Sequence, residues 1–270
     1  MPQVVMVTGA SSGIGKSIAE VLSTAGYIVY GSSRKAHNGD SALGFKMVSL
    51  DVTDENSIRS AVDYIIETHG KLDVLVNNAG LGILGPGESV SDLEVREIFN
   101  TNFFGLINVC RAVVPIMRKQ NSGHIINISS IAAEMGLPFR GIYSASKAAV
   151  DRYSEALNME LKPFGVHVSI IQPGDFNTGI NDNRKVASFI PDVYKVAYED
   201  ARDIIVQEVS HSPSPGPIGK AVLELIREKN PSIRKRVAPL LTRLSPQIKF
   251  LLPWNVFSRL IANRYSKGKK

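Results

Sequence analysis

The sequence has 270 residues, 44% of them hydrophobic and 21% charged, which suits one soluble globular domain with a full core. A single cysteine, Cys110, excludes a disulfide framework, and five scattered histidines offer no zinc-type cluster. The net charge of +6 averages two unlike parts: residues 1–230 carry 21 basic and 25 acidic side chains, whereas residues 231–270 carry 10 basic and none acidic.

In chain order, short apolar runs at Val4–Val7, Ile28–Tyr30, Phe45–Leu50 and Leu72–Val76 predict strands, with helices at Ile14–Ala25 and Glu55–Thr68 between them. Strands and helices alternating in this way form a parallel sheet covered by helices on both faces. Asp54 is placed as a helix N-cap. Leu93–Lys119 carries two helical stretches, His124–Ile128 is a buried strand, and Tyr143–Leu161 is a long helix stopped by Pro163 and Gly165. Val166–Ile171 is a further strand, and Arg234–Val237 is the only candidate beyond it. The expectation is one α/β domain, with a core over 1–180, substrate-side helices over 181–230 and a basic, apolar C-terminal extension over 231–270. The N-terminus lacks a basic, cleavable leader and no run of 18 apolar residues occurs, so a cytoplasmic chain is expected.

Gly9, Gly13 and Gly15 follow the first strand and open the first helix. A turn that tight, with close backbone approach, favours residues without Cβ, and the helix start offers free N–H groups to a pyrophosphate. The G-x-x-x-G-x-G spacing differs from the usual dinucleotide fingerprint, and the lysine-hydroxyl ending of a triphosphate loop is missing. A structural glycine turn would need the same residues. Tyr143 and Lys147 stand i,i+4 on one helix face. An ammonium there favours the phenolate and lets the pair move a proton to or from a carbonyl oxygen. Ser129 and Ser130 follow a strand, at the sheet end that lines ligand crevices. On spacing alone, a solvent-facing tyrosine–lysine pair is the simpler reading.

Taken together and in order, Thr8–Gly15, Asn77–Gly80, Asn102, Ser130, Tyr143–Lys147 and Pro173-Gly174 resemble the classical short-chain dehydrogenase/reductase family over residues 3–180. Met135–Phe139 and Leu161–His167 resemble its 17β-hydroxysteroid and retinol dehydrogenase branch. The resemblance implies a single-domain, Rossmann-type three-layer sandwich and a nicotinamide-dependent oxidoreductase without metal. It implies that Tyr143 is the acid in reduction and the base in oxidation, that Ser130 hydrogen-bonds the substrate carbonyl, that Lys147 binds the nicotinamide ribose and that Asn102 holds a relay water. Cofactor contacts are implied for Gly9, Ser11, Ser12, Gly13, Ile14, Gly15, Ser33, Arg34, Asp51, Val52, Asn78, Ala79, Gly80, Tyr143, Lys147, Pro173, Gly174 and Thr178. NAD-specific relatives carry an acidic residue where Ser32 lies. Its absence, with Arg34 offering a fork of donors beside Lys35, points to NADPH and NADP+. Ordinary loop charges are the alternative.

For the substrate, Leu81–Gly87, Glu134–Phe139 and Asn181–Ser210 are the candidate pocket segments, the last with Phe189, Ile190, Val193, Tyr194 and Tyr198. An apolar ketone or secondary alcohol is expected, of steroid, retinoid or long-chain lipid type, with a retinoid aldehyde or primary alcohol as a variant. The rivals are a 3-oxoacyl thioester reductase and a non-catalytic cofactor-binding sensor on the same fold. A nucleic-acid partner is not expected, since residues 231–270 carry no recognition motif. A homo-oligomer is expected through Leu106–Lys119 and Asp151–Leu161, with Val109, Val113, Met117, Leu157 and Leu161 either outward or in the core. The extension holds Phe250, Leu251, Leu252, Trp254 and Phe257 among Arg243, Lys249 and Arg259, with Arg264, Lys267, Lys269 and Lys270 beyond. That pattern fits peripheral contact with an anionic membrane, although Pro239, Pro246 and Pro253 interrupt it. Packing on the body beside the pocket is the competing expectation.

Overall fold

The structure, a computed structural model, describes residues 1–38, 44–178 and 184–268. Seven parallel strands form its central sheet in the order β3-β2-β1-β4-β6-β7-β9. They are β1 (Val4–Val7), β2 (Ile28–Ser33), β3 (Lys46–Ser49), β4 (Val74–Asn77), β6 (Gly123–Ile128), β7 (Val166–Pro173) and β9 (Arg234–Val237). β1 pairs with β2 on one side, Val5 facing Val29, and with β4 on the other, Val5 facing Val74. The strand order reverses between β1 and β4, and such a point opens a crevice at the strands' C-terminal ends.

Both faces of the sheet are covered, which is why its strands read as unbroken apolar runs. On one face Tyr30, Leu75, Ile125 and Val168 pack with α2 (Glu55–His69), α4 (Gly105–Gln120) and α5 (Gly141–Leu161). On the other, Val5, Val7, Val76 and Ile126 pack with α1 (Gly13–Thr24) and α7 (Gly216–Arg227). α1 and α7 approach closely at Gly219, where a Cβ would lie 2.8 Å from Val21 Cγ2 and 3.0 Å from the Ser17 carbonyl oxygen. α2 begins where the sequence places it, with Asp54 accepting from Asn56 N at 2.9 Å. The expected three-layer Rossmann-type sandwich is the observed fold.

Three expectations are refined. Arg234–Val237 does form the seventh strand, at the sheet edge, with Ile170 facing Arg234 and Pro173 facing Val237. The stretch Leu93–Lys119 is α3 (Asp92–Phe99), a π-helical turn at Asn100–Phe104, and α4. Val109, Val113, Met117, Leu157 and Leu161 are all buried in the core on the sheet's α4–α5 side, so the outward reading of these residues is corrected.

The remaining elements lie over the crevice end or beyond the sheet edge. β5 (Ile83–Leu84) and β8 (Lys185–Val186) pair as a separate two-stranded ribbon. α6 (Lys195–Ser210) follows the ribbon, and α8 (Leu240–Leu251) and α9 (Trp254–Arg264) follow the edge strand. Pro239 and Pro253 sit at the starts of α8 and α9, while Pro246 lies within α8. The extension is therefore the edge strand β9 followed by two short helices.

Candidate active site

The crevice is built first by glycines. Gly9 (φ +67°) and Gly13 (φ +56°) occupy left-handed backbone that L side chains avoid. Gly15 sits so close to the turn that a Cβ would lie 2.3 Å from the Gly9 carbonyl oxygen and 2.4 Å from Asn78 Nδ2. The loop is tied to the end of β4 by Asn78, whose Nδ2 donates to Thr8 O (2.9 Å) and Gly9 O (3.1 Å). Thr8 Oγ1 accepts from Asn78 N and Ala79 N in return. Ser12 is the N-cap of α1, yet its side chain makes no capping bond, so the helix start keeps free donors. A cradle that a Cβ would fill, with a helix N-terminus opening onto it, fits a dinucleotide pyrophosphate.

The other expected cofactor contacts are placed as follows. Thr178 O would lie 3.0 Å from a Cβ at Gly13, and Gly174 N donates to Val237 O at 2.9 Å at the end of β7. Ser32 is buried beside the loop, its hydroxyl 3.4 Å from Gly9 N. Ser33 accepts from Lys35 N at 3.3 Å, and Arg34 is exposed in the turn after β2. Asp51 Oδ1 accepts from Thr53 N and Oγ1 at 2.9 and 2.7 Å. Val52 fills the space that makes Gly105 necessary, 2.7 Å from where its Cβ would be.

Asn102, Ser130, Tyr143 and Lys147 are assembled from three elements. Lys147 is buried on α5, and its Nζ donates to Ile128 O at 2.9 Å, at the end of the strand that leads to Ser130. Burial pulls the Lys147 ammonium below the ordinary lysine range, against the opposing pull of Tyr143 and Asp151. Ser130 caps a short 3-10 turn by accepting from Ala132 N at 3.1 Å. Asn102 lies in the π-helical turn, a departure from regular helix that recurs at functional sites. Its Oδ1 accepts from Leu81 N at 2.7 Å, and its Nδ2 donates to Leu81 O and to Ser146 Oγ at 2.9 and 3.0 Å. Ser146 in turn donates to Tyr143 O at 2.8 Å. Gly80 keeps the gap open: a Cβ there would stand 3.3 Å from Asn102 Oδ1 and 3.5 Å from Lys147 Nζ.

Both Nδ2 hydrogens of Asn102 are thus engaged. A water held by this side chain must donate to the remaining lone pair of Oδ1.

Four residues around Tyr143 were not foreseen. Arg140, buried, places its guanidinium 5.6 Å from the Tyr143 ring centroid. It is hydrogen-bonded to Tyr265, just beyond α9, and attracted to Asp175; these interactions and Tyr143 raise its pKa against the effect of burial. Arg184 lies on Gly82, and burial together with the Arg140 charge lowers its pKa to about 10. Arg140 stands at i−3 from Tyr143, a helical spacing that the sequence does display. Nothing in the sequence ties Tyr265 to the site, because that contact joins residues 125 positions apart.

The pocket segments converge beside this cluster. Leu84, Leu137, Phe139, Ile190, Tyr198, Ile205, Ile261 and Tyr265 form one apolar group, with Phe139 edge-on to Tyr198 at 5.7 Å. Tyr198 Oη is buried without a hydrogen-bond partner among the described residues. Phe189 and Val193 instead face solvent, so only part of the expected lid packs into this apolar group. Asn181 to Asn183, at the start of that segment, lie outside the described residues, as do Lys269 and Lys270.

Residues 3–187 match the family model described as short chain dehydrogenase. The chain belongs to the short-chain dehydrogenase family. As a member of it, the chain is an oxidoreductase. It is 46% identical over 257 residues to the 3-ketodihydrosphingosine reductase of Bacteroides thetaiotaomicron, covering 94% of this chain and 95% of that one. It is 31% identical to bovine retinol dehydrogenase 8, covering 92% of this chain and 84% of the relative. Among solved structures, a short-chain dehydrogenase from Streptomyces avermitilis superposes with a TM-score of 0.79 at 31% identity, covering 96% of this chain and 98% of that one.

Proposed function

We propose that this short-chain dehydrogenase is an NADPH-dependent reductase of a ketone carried on a long apolar chain, of the 3-keto lipid type. The observation that carries the chemistry is the assembly of Asn102, Ser130, Tyr143 and Lys147 at the crevice beside the glycine cradle. The 46% identity with a 3-ketodihydrosphingosine reductase over nearly the whole of both chains supports the lipid substrate, and the apolar group from Leu84 to Tyr265 supports a long hydrocarbon.

The bound nicotinamide supplies the hydride. Tyr143 donates a proton to the carbonyl oxygen in reduction and takes it back in oxidation. Ser130 positions that oxygen by a hydrogen bond. Lys147, held against Ile128 O, stands i,i+4 from Tyr143 and binds the nicotinamide ribose. Asn102 holds the Leu81 turn and orients a relay water through Oδ1. Ser11, Ser12 and the N–H groups at the start of α1 receive the pyrophosphate, and Asp51 with Val52 receives the adenine.

NADPH is favoured because Ser32 carries no charge to repel a 2′-phosphate, while Arg34 is exposed beside the crevice and offers a bidentate fork. A homo-oligomer is part of this reading. Its contact must use apolar residues other than the buried ones first considered, and Phe104 and Met159 are exposed there. A lipid substrate also fits peripheral membrane contact.

The test is kcat/KM with NADPH and with NADH on a detergent-dispersed 3-keto sphingoid base, a steroid ketone, retinal and a 3-oxoacyl thioester. The 3-keto lipid with NADPH is expected to lead, and Arg34→Ala is expected to raise KM for NADPH much more than for NADH. A preference for NADH, or equal effects of Arg34→Ala on both, overturns the cofactor assignment. Turnover confined to the thioester returns the chain to the acyl-thioester branch.

A further inference from the structure

The cations of residues 231–270 are not a free basic surface. Arg234 binds Glu155 at 2.5 Å and faces Glu134 and Asp151 at 3.5 and 3.8 Å. Lys235 pairs with Glu224, Arg236 with Glu134, Arg264 with Glu208 and Lys267 with Asp203. Lys249 donates to the Glu134 carbonyl oxygen, which leaves its charge without a carboxylate. Arg243 and Arg259 are exposed and form no ion pair with a described residue. Unpaired positive charge is therefore concentrated on α8 and α9.

The same two helices expose most of their apolar side chains. Leu240, Leu244, Ile248 and Leu251 follow one stripe of α8, and all are exposed. Phe250 is 89% exposed, Leu241 78%, Leu251 77% and Trp254 62%. An apolar surface of this extent is unusual on a soluble body and marks an interaction face. Only Phe257 on these helices is buried, against Ile131 and Met135, which fixes the pair next to the segment that follows Ser130.

We infer that the exposed face of α8 and α9 docks on an anionic lipid surface, with Leu240, Leu241, Leu251 and Trp254 inserted at the headgroup boundary and Arg243 and Arg259 at the phosphates. Protruding single side chains suit insertion into lipid better than the filling of a partner's pocket. A second copy is disfavoured by symmetry. A two-fold contact would set this face against itself, bringing Arg243 and Arg259 toward their own copies with no acidic residue anywhere in 231–270. Trp254, the chain's one tryptophan, stands at the start of α9, and tryptophan favours the membrane–water boundary. Docking would bring the pocket mouth to the phase that holds an apolar ketone; this benefit, though not the docking itself, rests on the lipid-ketone reading.

The experiment is co-sedimentation of the full chain with phosphatidylcholine vesicles and with vesicles containing 30% phosphatidylglycerol, at low and physiological salt. Binding is expected to be at least tenfold stronger to the anionic vesicles at low salt. The triple variant Leu240→Ser, Leu241→Ser, Leu251→Ser is expected to lose it at least tenfold, with an unchanged far-UV spectrum and unchanged reduction of a water-soluble ketone. Arg243→Ser with Arg259→Ser should remove the dependence on phosphatidylglycerol. No binding to anionic vesicles at low salt overturns the inference, as does equal binding by the triple variant. A concentration-dependent dimer that the triple variant abolishes, without vesicle binding, assigns the face to a second copy instead. Vesicle binding by a chain inactive on lipid ketones would sink the substrate reading and leave the docking intact.

Discussion

At Gly15 the crevice has no room for one added carbon, whereas twenty residues from the C-terminus Phe250 stands almost wholly in solvent. The contrast separates two ways of building an active site. The cofactor end is defined by backbone: left-handed glycines, an Asn78 clamp, and a lysine fastened to a strand carbonyl. The extension is defined by where its side chains can find partners. Its root, β9, is locked to the body by arginines that bind Glu134, Asp151 and Glu155, while its helices bury only Phe257 fully, with Ile261 packed partly beside it. Geometry demanded by a fixed ligand constrains residue type at each position; a surface that meets a variable partner constrains only character.

The largest expected effect lies at the first of these regions. Tyr143→Phe removes one oxygen and leaves the ring under Arg140. A loss of about 10³-fold in kcat is expected, within the range of positioned acid–base groups, with cofactor affinity unchanged. Retention of a tenth of wild-type kcat would contradict the acid–base role. The next effect tests the root of the extension. Arg234→Met removes the cation that faces Asp151, which is buried on the catalytic helix, while Arg236 still holds Glu134 and Arg152 still holds Glu155; it should cost about 2 kcal/mol in urea unfolding, since removing one partner of a largely buried pair is costly. Lys267→Ala breaks an exposed pair and should leave the midpoint unchanged. Equal midpoints for both variants would erase the distinction between the root and the far end.

This difference also governs what the sequence discloses. Val4–Val7, the glycine spacing, the Tyr143–Lys147 pair and the Asp54 cap are legible because local geometry allows few alternatives there. The π-helical turn at Asn102 is not, since the partners that engage Asn102 there, Leu81 and Ser146, are distant in sequence. Val109, Val113 and Met117 show an apolar stripe without showing which side it faces, and only the sheet decides it. The net charge of the extension is plain in the sequence, but its neutralisation by Glu134, Glu208 and Asp203 depends on tertiary contacts. Tyr265 reaches Arg140 for the same kind of reason.

A buried histidine in the body gives a pH test that the exposed extension should not reproduce. His124 Nε2 lies 3.0 Å from Ser169 Oγ, which itself donates to Ser232 O, so Nε2 carries a proton and is the donor. Burial, with the neighbouring His167 charge, lowers its pKa to about 3 from 6.5. Between these values the unfolded chain binds the additional proton. This contribution to stability is therefore complete above about pH 6.5 and declines as pH falls toward 3. From pH 7 to pH 5 the loss is about 2 kcal/mol. His124→Gln keeps a donor for Ser169 and should flatten that part of the stability profile. An unchanged slope in the variant would remove His124 as its source.

The smallest expected effect joins the two regions. Arg140 lies over the catalytic ring, and Tyr265, beyond α9, is hydrogen-bonded to it. Tyr265→Phe keeps the buried ring in its apolar group and deletes only that bond. A hydrogen bond to a charged group contributes about 1.5 kcal/mol, but Asp175 continues to attract the guanidinium. The expected result is a fall of about threefold to tenfold in kcat/KM for the ketone, with unchanged cofactor affinity and an altered pH profile of kcat. Arg140→Lys should reproduce the pH change, because an ammonium cannot hold the planar fork in the same place. If Tyr265→Phe shifts only the thermal midpoint and leaves both kcat and its pH dependence as they were, the extension roofs the site without tuning it. If the pH profile moves while the midpoint does not, the end of α9 acts on Tyr143 through Arg140, and the extension belongs to the catalytic apparatus as well as to the surface.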